Sequence, residues 1–147
     1  MGREKTDTKT WNGFLFVLLT ALLVGCASYG THSTNLGQYH SYYFGDVDPI
    51  SEPYEKHVSY VLNKYGLTET NTGGALRCSV KLTETSVWNY SFRVGLWDGS
   101  NLVASAQSEN HGWGTAAAYG AAHQHMIART LEQLEIQLAK GGLTRRK

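Results

Sequence analysis

The sequence predicts an α/β (α+β) two-layer sandwich: a four-stranded mixed sheet with two helices on one face. Three observations predict it. Residues 76–83 alternate apolar and polar without a break, the period-two signature of a strand with one buried face. Tyr90, Phe92, Val94 and Leu96 repeat that alternation, and Asp98-Gly99-Ser100-Asn101 follows as a turn. Ile127, Leu131, Leu134 and Leu138 recur at intervals of four, three and four residues, which places them on one helical face.

Taken in order, the chain opens with a polar segment carrying Arg3, Lys5 and Lys9 beside Glu4 and Asp7. A largely apolar run from Trp11 to Val24 follows. It is shorter than the roughly 20 residues a helix needs to cross a bilayer. It fits the hydrophobic region of an export signal occupying residues 1–25. An alternative is N-myristoylation on Met1-Gly2-Arg3-Glu4-Lys5-Thr6, which leaves the apolar run from Phe14 to Val24 unexplained.

The run ends in Leu23-Val24-Gly25-Cys26. This resembles the lipobox of bacterial lipoproteins, in which the cysteine receives a diacylglycerol and becomes the first residue after cleavage. The resemblance implies a covalent lipid on Cys26 and no other cofactor. It also implies membrane attachment through that lipid, with Ala27 rather than Asp at the second position pointing to the outer membrane. Residues 26–38 are polar and rich in Gly, Ser and Thr, and read as a flexible tether.

The domain proper is expected over residues 39–140. Residues 39–44 are aromatic-rich and suit a strand, which Gly45-Asp46-Val47-Asp48-Pro49 should break. Ser51 is placed to cap a helix with Glu52 and Pro53 in its first turn. Tyr54, Val58, Val61 and Tyr65 share one face of that helix, and Gly66 suits its left-handed end. The strand over 76–83 puts Leu76, Cys78, Val80 and Leu82 inward. The strand through Leu96 pairs across the turn with residues 102–107. Gly112-Trp113-Gly114 is a loop, and Thr115 caps a helix ending near Lys140. Small residues over 116–122 should let that helix lie close to the sheet. Residues 141–147 form a basic tail, read as a frayed terminus.

This β-α-β-β-β-α layout resembles that of small lipoproteins of proteobacteria. The likeness is carried by residues 61–67, by 94–103, and by the closing helix with Leu131, Leu134 and Leu138. More loosely, the layout is similar to that of outer-membrane lipoproteins that activate peptidoglycan synthases. The resemblance implies an accessory protein of the cell envelope, partnered by another envelope protein or a peptidoglycan component.

Composition narrows the function. Lys and Arg total 13, and Asp and Glu total 12. Removing the leader's three basic and two acidic residues leaves ten of each. A neutral domain has no field to attract nucleic acid. Only Cys26 and Cys78 are present, so a lipidated Cys26 leaves no disulfide, and Cys78 reads as a small buried hydrophobe.

No serine triad, phosphate loop or acid pair stands at a recognisable spacing, so catalysis is not expected. Trp97 has the opposite parity to Phe92, Val94 and Leu96 and should leave the core face. Trp88, Trp97 and Trp113 are therefore candidate partner contacts. The ordinary reading of Trp97 is packing on the sheet, against Arg93 or the opposite strand. A second candidate function is a small-ligand or metal module built on His111 and His123. Against it, His123 and His125 are two apart on a helix and point to different faces, and His123 reads as a core-edge residue. An enzyme acting on the cell wall is a third reading, motivated by compartment alone.

Overall fold

A computed structural model describes residues 26–32, 35–71, 75–86, 89–111 and 116–146. The expected export leader, with Leu23, Val24 and Gly25, lies outside the described residues, as do Trp88, Trp113 and Thr115. The described chain is an α+β sandwich built on one mixed sheet. Its strands are β1 (Cys26–His32), β2 (Ser41–Val47), β3 (Thr68–Glu69), β4 (Leu76–Ser86), β5 (Asn89–Asp98) and β6 (Asn101–His111). Its helices are α1 (Glu55–Lys64) and α2 (Ala116–Lys140). The six strands stand in the order β1-β6-β5-β4-β2-β3. β2 runs parallel to β4 and β3, and the remaining neighbours are antiparallel.

The alternating positions form the core. Leu76, Cys78, Val80 and Leu82 of β4 face Tyr90, Phe92, Val94 and Leu96 of β5, and all are buried. Val58, Val61 and Leu62 of α1 and Met126, Ile127, Leu134 and Leu138 of α2 close over the same face in one cluster. Thr130 sits inside this seam. Its hydroxyl donates to the Met126 carbonyl at 3.1 Å and lies 3.3 Å from the Phe92 carbonyl of β5. A buried hydroxyl in a helix is tolerated because those bonds satisfy it.

α1 ends where the sequence places its stop. Gly66 has φ +87°, which glycine adopts without penalty. The Leu67 N–H reaches the Leu62 carbonyl at 3.1 Å and the Gly66 N–H reaches Asn63 at 2.9 Å. That pair of bonds is the Schellman arrangement, and buried Leu67 supplies its apolar contact.

Five expectations need correction. Residues 26–38 are not a free tether. Cys26–His32 is β1, an edge strand paired with β6 from Cys26↔Asn110 to His32↔Ala104, and Leu36 is fully buried. The composition hid this because residues 26–32 carry no run of alternating large apolar side chains to mark a buried face. Together with the short β3, β1 raises the sheet from four strands to six.

Gly45 does not end β2. The strand continues to Val47 through a bulge between Phe44 and Asp46. A Cβ at Gly45 would lie 2.6 Å from Cγ of Arg77, so glycine there lets β4's side chain pass. Ser51 does not cap its own helix. Its hydroxyl instead accepts the Leu82 N–H at 2.7 Å.

The C-terminal segment is docked rather than frayed. The Arg146 N–H bonds the Lys64 carbonyl at 2.8 Å and its guanidinium bonds the Gly66 carbonyl at 3.0 Å. A cation at a helix C-terminus meets carbonyls that have no intrahelical donor. Finally, the small residues over 116–122 do not all face the sheet: Gly120 and Ala121 are exposed, while Ala122 packs against the core. On the sheet side, Gly30 lets α2 come close. A Cβ on Gly30 would lie 2.8 Å from Cγ of Gln137.

Candidate functional site

Two surfaces bear on function. The first surface is the outer face of the sheet, away from both helices. β5 places Trp97 there, directly opposite Arg77 of β4. The indole N–H donates to the Ser79 hydroxyl at 3.0 Å, and the Arg77 guanidinium carbon lies 5.3 Å from the ring centroid. A Cβ on Gly95 would meet the indole nitrogen at 2.9 Å, so the ring covers that glycine. Trp97 is thus half-buried and held on the sheet by the neighbouring strand. The contact is with Arg77, not Arg93, because register sets Arg77 across from it while Arg93 bonds Gln107 at 2.5 Å. A cation over an exposed ring contributes about 0.5–1 kcal/mol.

The second surface is a groove between α1 and α2. It has a volume of about 640 Å³ and is lined by Lys56, His57, Tyr60, Val61, Ala128, Leu131, Glu132 and Glu135. A neighbouring opening of about 450 Å³ shares His57, Ala128 and Leu131 and adds Tyr54, His123 and Ile127. Lys64 of α1 and Glu135 of α2 pair at 2.5 Å across the two helices. Tyr60 is 69% exposed on the rim. Sequence reasoning missed this groove. The residues that line it sit on the flanks of two helices far apart in the chain, where no single-helix period marks them.

His111, His123 and His125 lie in three different settings. His123 packs edge-on between Tyr54 and Tyr90, at centroid distances of 5.8 Å and 5.3 Å. His111 lies on the surface beside Glu109, 3.2 Å from its carboxylate, and His125 is exposed. Among the described residues no three His, Cys, Asp or Glu side chains are grouped to hold a metal ion.

Cys78 is fully buried. Burial raises its thiol far above the ordinary value, and the charges of Glu55 and Glu69 add to the effect. A nucleophile needs the opposite shift. The side chain of Cys26 lies outside what is described, but its backbone is placed at the head of β1, opposite Asn110. Among the described residues no helix is long and apolar enough to cross a membrane.

No protein-family model matches the chain, and no curated protein matches it. Solved structures similar to it include a PelC dodecamer from Paraburkholderia phytofirmans, at 17% identity over 75% of this chain and 97% of that one, with a TM-score of 0.45. A minor lipoprotein from Acinetobacter baumannii is similar at 12% identity over 74% of this chain and 97% of that one, with a TM-score of 0.44. A PDZ domain protein from Parabacteroides distasonis is similar at 7% identity over 89% of this chain and 41% of that one, with a TM-score of 0.44.

Proposed function

We propose that this chain is an exported lipoprotein held on the periplasmic face of the outer membrane by acyl chains on Cys26. Its domain is a non-catalytic accessory module that binds another envelope component, either a protein or peptidoglycan. One observation carries the reading. The cysteine that closes the Leu23-Val24-Gly25-Cys26 motif stands just past the apolar run from Trp11 to Val24 and belongs to the paired strand β1. Cleavage before it would remove the apolar run and leave every described strand whole. More than one acyl chain is needed for stable attachment, since a single chain binds marginally.

The accessory role is supported by the sequestered Cys78 thiol and by two surfaces suited to contact, the Trp97 face and the interhelical groove. Mass spectrometry of the membrane fraction tests the anchor. The expected product begins at Cys26 and carries acyl mass, and Cys26→Ala moves the chain out of the membrane fraction. A full-length, unacylated chain in the cytosol would overturn the reading. Crosslinking from Trp97 and Tyr60 positions in intact envelopes tests the accessory role, with a discrete adduct expected from at least one surface.

A further inference from the structure

We propose that the end of the sheet bearing Cys26, Asn110 and Tyr90 rests on the phospholipid headgroups, so that the anchor fixes the domain's orientation as well as its location. This rests on lipidation of Cys26 and adds a partner surface to it, the headgroup layer itself.

The register carries the argument. Cys26 pairs with Asn110, Asn110 with Tyr90, and Tyr90 with Glu84, a single row across four strands. Beyond that row the described pairing continues only to Asn89↔His111 and Ser86↔Asn89. The anchor residue therefore lies about one strand step, roughly 3.4 Å, from the last pairs at that end. The opposite end, at Asp98↔Asn101, is eight residues further along β5, about 27 Å away at the rise of an antiparallel strand.

A lipidated cysteine reaches its glycerol through only a methylene and a sulfur, and the acyl esters sit at the base of the headgroups. With β1 paired there is no slack chain between bilayer and sheet. β1 is held by its ladder to β6 and by the close fit of Gly30 beneath Gln137 of α2. A free tether over the same residues would let the domain tumble.

The chemistry of that end suits headgroups rather than acyl chains. Ser86, Asn89 and His111 are exposed there, polar groups able to bond phosphate and ester oxygens. Glu109 lies 3.2 Å from the His111 ring and Glu84 is exposed in the same row, so polar bonding and the lipid, rather than charge attraction, hold this end to the headgroups. The acyl chains supply the affinity, and the sheet end sets the tilt.

The test uses the full lipidated protein in vesicles of phosphatidylethanolamine and phosphatidylglycerol. A fluorophore is placed through Asn89→Cys or Asn101→Cys, both exposed positions, and quenched with headgroup-spin-labelled lipid. Several-fold stronger quenching at position 89 than at position 101 is expected. Equal quenching, with acyl mass on Cys26 confirmed, overturns the orientation and leaves the anchor standing. Absence of acyl mass overturns both. Hydrogen exchange on the vesicle-bound protein, without any substitution, gives an independent reading. Slow exchange across β1 is expected, and fast exchange throughout β1 would show a tether and sink the proposal.

Discussion

The Ser51 hydroxyl accepts a hydrogen bond from the Leu82 backbone N–H at 2.7 Å, with both residues buried. Pairing of β2 with β4 ends at Val47↔Val80, so Leu82 has no β2 residue opposite it. Ser51 takes the place of the missing strand carbonyl and ties the entry to α1 onto the sheet.

Ser51→Ala should therefore destabilise the domain by about 1–3 kcal/mol, the cost of leaving a buried N–H without an acceptor. Loss of an ordinary helix cap alone would cost less, typically about 1 kcal/mol. Urea unfolding measures the difference. Faster amide exchange at Leu82 in Ser51→Ala would separate the sheet role from a capping role.

Gly30→Val should detach β1. The new side chain would start 2.6 Å from the Ser105 carbonyl and 2.7 Å from the Gln137 amide, so strand and helix cannot both stay. Overpacking of this kind costs typically 1–3 kcal/mol. Hydrogen exchange along β1 and its partner strand should rise, while acylation of Cys26 stays intact because Gly30 lies outside the lipobox. Unchanged exchange would show that the helix moves instead.

Stability should fall as the solution turns alkaline. Burial raises the Cys78 thiol, with Glu55 and Glu69 adding to it. Burial also pushes Tyr42 from 10.0 up to about 12. The folded state keeps both protons where the unfolded chain has released them, so stability declines as pH rises. The decline should begin near the ordinary thiol value of about 8.5 and steepen once unfolded tyrosine ionises. Urea midpoints against pH should show a shallower early decline in Cys78→Ala than in the parent chain. In the folded parent, Cys78 should resist thiol reagents until denaturant is added.

Trp97 separates packing from contact. Trp97→Phe keeps a ring over Gly95 and loses the bond to Ser79. It should cost up to about 1 kcal/mol, the net value of one hydrogen bond. Trp97→Ala also uncovers Gly95 and releases Arg77, and should cost more. If Trp97 contacts a partner, crosslinking in intact envelopes should fall with Trp97→Ala and largely survive Trp97→Phe. Equal loss in both would assign the effect to the indole N–H.

Much of the fold was legible in the chain because its strongest signals are local. The alternation through Leu76 to Leu82 and Tyr90 to Leu96 needed only period two, and the turn at Gly99 needed only its residues. The stop at Gly66 was equally local, since the left-handed backbone there favours glycine wherever it occurs. β1 was not legible. An edge strand with polar composition acquires its structure from β6 and from the helix above Gly30, neither of which its own residues announce. The site was legible in part. Parity placed Trp97 outside the core, but the identity of its neighbour depended on register, which chose Arg77 over Arg93.

The sequence by itself determined the apolar run and the Leu23-Val24-Gly25-Cys26 motif, the core positions of β4 and β5, and the apolar stripe of α2, because spacing along one chain segment suffices for each. Tertiary structure alone decided that Cys26 stands in a paired strand, that Ser51 serves β4 rather than its helix, and that Arg146 closes the end of α1. Each of those joins groups distant in sequence, and a hydrogen bond between distant groups forms only when the packed core has brought them within reach.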